Sequence, residues 1–318
     1  MRQYVKPMTS PKPPFKIHPD TSLAHVELHV KGLANMVAFY RDLMGFRLLE
    51  NEGGQARLSA TGKVPALLTL IERTDARPQG SRFAGLYHTA FCYTGRPALA
   101  NGLMRLVSAR WPLQGAADHG VSEAIYLADP EGNGIEIYRD RPRQDWPRLQ
   151  DSVQMGNLPL DLHKLLEEAD PATAQAGAID AGTDIGHIHL QVSELAKARA
   201  FYHQLLGLDI TMELPTALFM SAGGYHHHLG ANTWNSRQAP RRTAGELGLA
   251  SYAFLIPDEA GWLAVFERLQ AQTKGSRVVQ RDQRAGLALE DQDGITVELL
   301  TPDTEAVRQT LARLQQEA

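Results

Sequence analysis

His25-Val26-Glu27-Leu28-His29-Val30 returns 162 residues later as His187-Ile188-His189-Leu190-Gln191-Val192. The same offset carries Phe39-Tyr40-Arg41-Asp42-Leu43-Met44-Gly45-Phe46 onto Phe201-Tyr202-His203-Gln204-Leu205-Leu206-Gly207-Leu208. It also carries Ser59-Ala60-Thr61-Gly62 onto Ser221-Ala222-Gly223-Gly224, and Asp129 through Glu136 onto Asp291 through Glu298. One register held over more than 100 residues marks a duplication.

Each half subdivides again. Alternating apolar residues predict a strand over 24–30, and a helical period follows over 33–44. Gly45 ends that helix, because glycine accepts the positive φ of a helix C-terminus. Short strands are expected near 47–50, 56–60 and 66–72. The pattern then restarts with a strand over 86–93, a helix over 97–109, and strands near 122–128 and 134–139. The fold class is therefore α+β, with four βαβββ modules. The expected layout is a first domain at 21–142, a linker at 143–181, a second domain at 182–304 and a helical tail at 305–318. A short helix over 160–169, stopped by Pro171, is expected within the linker.

Composition narrows the function classes. The 318 residues suit roughly two domains and are 43% apolar and 21% charged, enough for sizeable cores. The net charge of −4, with no cluster of Lys and Arg, argues against a nucleic-acid partner. No apolar stretch reaches the roughly 20 residues of a membrane span. Residues 1–19 hold no hydrophobic signal core, and a single cysteine allows no internal disulfide. Both suit a reducing cytoplasm. Cys92 lies in an apolar run and reads as a small core residue.

The residues that carry chemistry are histidines and carboxylates on these strands. His25 lies on the first strand, and His88 lies in Leu86-Tyr87-His88-Thr89-Ala90-Phe91. Glu136 sits between Ile135 and Ile137, and a carboxylate alternating into a sheet interior needs a partner or a metal. His119-Gly120-Val121-Ser122-Glu123-Ala124-Ile125-Tyr126-Leu127-Ala128-Asp129-Pro130-Glu131-Gly132 leads up to it. Taken singly, His25, His29 and His88 read as ordinary strand or core residues, and Asp129-Pro130-Glu131-Gly132 as a turn. The second half keeps His187 and Glu298, but has Ser251 for His88, Arg281 for His119 and Ala288 for Tyr126. It also carries Gly223-Gly224-Tyr225-His226-His227-His228, where the first half has Val64-Pro65-Ala66. On a strand, His226 and His228 would share one face and His227 would take the other.

Four modules of this order resemble the vicinal oxygen chelate superfamily, which includes glyoxalase-type lyases, antibiotic-resistance proteins and extradiol ring-cleaving dioxygenases. The resemblance runs from about Ala24 to Pro302. It implies two tandem cupped half-barrels, each of two modules around one divalent metal. Ligands would come from the first strand of each module and the last strand of the second. In the first half these are His25, His88 and Glu136. Two imidazoles and a carboxylate that leave positions open suit non-heme Fe(II), with Mn(II), Zn(II) and Ni(II) as alternatives. His187, His226, His228 and Glu298 are the second-half candidates.

The stretch from His119 to Glu136 is similar to the extradiol dioxygenase signature and departs from it at Ala117. It implies that His119 hydrogen-bonds substrate or oxygen and that Tyr126 orients the substrate oxygen. The histidine-rich segments resemble a two-domain, catechol 2,3-dioxygenase-like bacterial subgroup. Common two-domain extradiol enzymes hold the working metal in the C-terminal domain, whereas the fuller ligand set here is N-terminal; in this subgroup either domain is open to the metal, and the first is favoured. The expected partners are O2 and a catechol- or hydroquinone-type aromatic, with a homodimer conceivable through exposed sheet edges. The rival readings are a glyoxalase-like metal-dependent lyase or isomerase and a metal-free aromatic-binding or resistance protein. The His119–Tyr126 pair favours the dioxygenase over the lyase.

Overall fold

The structure is a computed structural model that describes residues 15–78, 80, 82–149, 152–243, 245–269 and 276–317. Sixteen strands make up four modules. The first has β1 Ser22–Val30, β2 Arg47–Glu52, β3 Gln55–Ser59 and β4 Leu68–Glu72. The second has β5 Gly85–Tyr93, β6 Leu113–Asp118, β7 Ser122–Ala128 and β8 Gly134–Asp140. The third has β9 Asp184–Gln191, β10 Asp209–Leu214, β11 Ala217–Ser221 and β12 Leu229–Asn232. The fourth has β13 Gly248–Leu255, β14 Arg277–Arg281, β15 Arg284–Glu290 and β16 Thr296–Pro302. Strand β6 is one that the alternation pattern did not reveal.

Each module follows its first strand with a helix. In the first, Leu33–Ala38 continues into a π-helical turn, Phe39–Leu43, and Gly45 leaves it at φ 87°. The carbonyl of Gly177 would lie 2.3 Å from a side chain at Gly45, so both the turn and the close approach require glycine there. The second module has the helix Arg96–Ser108 and the fourth has Glu259–Leu269. No described helix is long and apolar enough to cross a membrane.

In every module the first strand lies parallel to the last: β1 with β4, β5 with β8, β9 with β12 and β13 with β16. The modules then join in pairs through their first strands, which run antiparallel. The partners are not consecutive. One sheet runs β14-β15-β16-β13-β1-β4-β3-β2, so the first module joins the fourth. The other runs β6-β7-β8-β5-β9-β12-β11-β10, with Leu158–Pro159 added at its β6 edge, so the second joins the third. Each cup thus draws one module from each half of the chain.

Between β8 and β9, two short helices take the place of the single expected one. Leu162–Leu166 is capped by the Asp161 side chain, and Pro171–Gln175 by that of Asp170. Pro171 opens the second helix, a position where its missing N–H is not needed. One continuous apolar core, including Leu28, Phe46, Phe91, Ile188 and Trp262, joins the two sheets.

Candidate metal centre

Strand register brings three residues together in the β5–β9 cup. Ala90 on β5 lies opposite Glu136 on β8 and opposite His187 on β9. His88 is two residues before Ala90 and so points to the same face. The small Ala90 side chain leaves the space above it to the carboxylate and the imidazole. His187 Nε2 lies 3.2 Å and His88 Nε2 3.1 Å from Glu136 Oε2. The candidate ligand atoms of all three lie within 4.8 Å of one another.

These groups are buried, with Glu136 3% exposed, His88 6% and His187 1%. Burial pushes the His187 pKa down to about 4, against the pull of Glu136. Burial alone would push the Glu136 carboxyl up, but His187 and His88 hold it well below its ordinary value. A carboxylate beside a neutral imidazole is the ionisation state that takes up a divalent cation. His187 Nδ1 is buried without a hydrogen-bond partner, so that imidazole is held through its Nε2 contact with Glu136.

The turn Asp129-Pro130-Glu131-Gly132 positions the carboxylate strand. Asp129 accepts hydrogen bonds from the backbone of Glu131 and Asn133, from the Asn133 side chain and from Tyr40 OH. Across β7, Tyr126 pairs directly with Glu136. Burial and the nearby Glu136 raise the Tyr126 pKa, so its hydroxyl keeps its proton. That hydroxyl lies 2.7 Å from His119 Nε2, and His119 Nδ1 lies 2.7 Å from the Gly156 carbonyl. A carbonyl can only accept, so Nδ1 carries the proton and Nε2 receives the tyrosine's. The segment after β8 therefore fixes the orientation of His119.

Behind the cluster runs a second polar network. Tyr138 and Tyr225 hydroxyls lie 2.7 Å apart, and Tyr225 donates to Asp140. Asp140 also accepts from His226 Nε2 at 3.0 Å, and His226 Nδ1 meets His227 Nδ1 at 2.9 Å. The His227 ring lies 4.1 Å from that of His187. A cavity of about 570 Å³ opens over the cluster and reaches His119, Tyr126 and His189.

The three side chains brought together differ from the expected first-half set in one member. His88 and Glu136 come together as expected, but His25 is not with them. It lies on β1 in the other sheet, opposite Ala253, with its Nε2 2.9 Å from Thr69 Oγ1. His187, a second-half candidate, takes its place because β9 rather than β1 is the neighbour of β5. Of the other candidates, His226 reaches the network behind the site, whereas His228 Nδ1 accepts from the Ala222 backbone. The His226–His228 stretch is a bend rather than a strand. Gly223 and Gly224 take positive φ, 57° and 68°, and turn the chain before it. His189, and His227, which a strand would have turned to the opposite face, also line the cavity. Their spacing from His187 and His226 was the available signal.

Glu298 stays in the other cup. There Ala253 lies opposite both His25 and Glu298, the same row in duplicate. Ser251 replaces the middle imidazole and donates to Glu298 at 2.9 Å. Arg281 donates to Glu298 and also meets Glu27 at 2.9 Å. A guanidinium thus satisfies the carboxylate that, in the first cup, faces two imidazoles.

The family model of the Glyoxalase/Bleomycin resistance protein/Dioxygenase superfamily matches residues 22–137 and 184–299, and the chain belongs to that superfamily. It is 42% identical over 248 residues to the catechol-2,3-dioxygenase of Bacillus subtilis (strain 168), covering 76% of this chain and 85% of that protein. Among solved structures it is similar to a provisionally assigned dioxygenase from Bacillus subtilis subsp. subtilis str. 168, at TM-score 0.62 and 15% identity over 94% of this chain and 97% of that one. It is also similar to glyoxalase I from Zea mays, at TM-score 0.52 and 15% identity over 94% of this chain and 96% of that one. At such identities the solved structures establish the fold.

Proposed function

We propose that this chain is an extradiol ring-cleaving dioxygenase. It would act on a catechol-type aromatic with O2, using a non-heme metal held by His88, Glu136 and His187, with Fe(II) preferred. The observation that carries this reading is a buried His-Glu-His cluster facing one cavity with the His119–Tyr126 pair. The 42% identical relative that bears the dioxygenase name supports it. Bound Fe(II) would supply a template and electron path between a chelated diol and oxygen.

The chain's own residues do the rest. Three ligands on one side leave the cavity side open to the diol. Tyr126 and His119 form one hydrogen-bonded pair at the cavity, placed to pass a proton to a substrate oxygen through the Tyr126 hydroxyl and to take one up at His119 Nε2. Both atoms of O2 enter the product as the C–C bond beside the diol breaks, giving a hydroxymuconic semialdehyde-type compound.

The test is oxygen uptake with catechol and hydroquinone after anaerobic loading with Fe(II). Oxygen consumed in equal amount to catechol, and lost in Glu136→Ala, is expected. No uptake with any diol would end this reading.

A further inference from the structure

The cavity extends in one direction along the sheet. A row of paired residues runs from His88 to His189, then to Gly230, Phe219 and Met212. Gly230 interrupts that row. A side chain there would come 2.9 Å from the His189 ring, so glycine lets that imidazole pack against the sheet backbone. Beyond it stand Met212 and Leu214, two residues apart on β10 and so on one face. Trp234 forms the rim. Its indole nitrogen donates to Thr216 Oγ1 at 3.1 Å, and Tyr87 meets its ring edge-on at 5.1 Å. The indole is thereby pinned with about half its surface open.

Among the described residues that line this cavity there is no Lys or Arg. Its fixed charge is the Glu136 carboxylate. A carboxylate at the Met212–Trp234 end of the cavity, away from the metal site, would be desolvated with no Lys or Arg to meet it. The volume of about 570 Å³ lies within the range of drug-sized ligand sites and exceeds what a bare diol ring would fill.

Resting on the dioxygenase reading above, we infer that the substrate is an uncharged catechol with an apolar substituent. The substituent lies against Phe219, Met212, Leu214 and Trp234. Carboxylated catechols are excluded.

The decisive comparison is 3,4-dihydroxyphenylacetate against its methyl ester, and catechol against 4-alkylcatechols. With Fe(II)-loaded protein the ester should exceed the acid in kcat/KM by about a hundredfold. An alkyl chain should add about tenfold, in keeping with the discrimination small apolar groups achieve. Leu214→Arg, at an exposed rim position, should close the acid–ester gap at least tenfold, through KM. Anaerobic binding of the same pair, followed by quenching of tryptophan fluorescence, gives a second readout that needs no turnover. Acid and ester cleaved equally well would overturn this inference and leave the dioxygenase standing. If no diol is cleaved the dioxygenase falls, and equal binding of acid and ester would then overturn the polarity argument too.

Discussion

Replacing His187 by Ala removes the candidate metal ligand that the far half of the chain places beside the first-half residues His88 and Glu136. The increment of stability that a divalent ion confers should disappear with it. An ion present at about a hundred times its Kd stabilises the folded state by about 2.7 kcal/mol. Unfolding entropy of about 2.1 cal/mol/K per residue amounts to about 0.7 kcal/mol/K over 318 residues. The melting temperature should therefore rise by about 4 °C, provided the chain melts as one unit. It should do so, because each sheet needs strands from both halves. The assay is anaerobic calorimetry with chelator and then with Fe(II) or Mn(II). Each variant is compared with its own metal-free form, so the damage done by truncating a buried ring drops out. Wild type and His25→Ala should both show the full shift, and His187→Ala less than about 1 °C. A shift kept in His187→Ala and lost in His25→Ala would refute the reasoning.

Further outcomes follow from the same geometry. His119→Gln should lower kcat by about a hundredfold, the usual scale of lost acid–base assistance, while the metal-induced melting shift stays intact; loss of that shift would mean a structural role. Arg281→Met leaves the buried Glu298 carboxylate short of its charged donors and should destabilise the fold by about 3 kcal/mol in urea titration. Adding Glu298→Leu should recover most of that, and failure to do so would count against the guanidinium's assigned role. Burial, reinforced by Arg281 and Arg57, pushes the His25 pKa down to about 3 from 6.5. The unfolded chain takes up a proton below pH 6.5 that the folded chain refuses, so stability falls with pH through that window. By pH 4.5 the loss is about 2.7 kcal/mol. His25→Gln should flatten the decline in urea midpoint between pH 7 and pH 4.5 by that amount, and an unchanged slope would show that His25 is not its source.

Much of this architecture was legible because the repeat and the strand period reinforce each other. The β7 and β8 segments alternate cleanly and fall where expected. β6 escaped because its core, Gln114-Gly115-Ala116-Ala117, is poor in the branched and aromatic residues that mark strands. His88, Glu136, His119 and Tyr126 stood out through their spacing. His25 and His187 could not be told apart in that way, since the repeat makes them equivalent positions. What separates them is the order of strands across a sheet, a long-range property that no local pattern encodes. The His226–His228 stretch misled for a local reason: paired glycines bend a segment whose composition fits a strand.

The pairing of first module with fourth and second with third has a consequence for how the chain is made. On a ribosome the inner cup can close once Asn232 has emerged, and with it the candidate ligands His88, Glu136 and His187. The flank of β1 must wait for β13, with Ser22 meeting Leu255 more than 200 residues downstream. That delay adds little to the entropy of closure, which grows only with the logarithm of loop length. It does leave an uncovered strand edge waiting through most of synthesis, the kind of edge that neighbouring nascent chains can capture. The nesting thus completes the metal-binding cup first and makes the outer sheet the step at which a holding chaperone has most to protect.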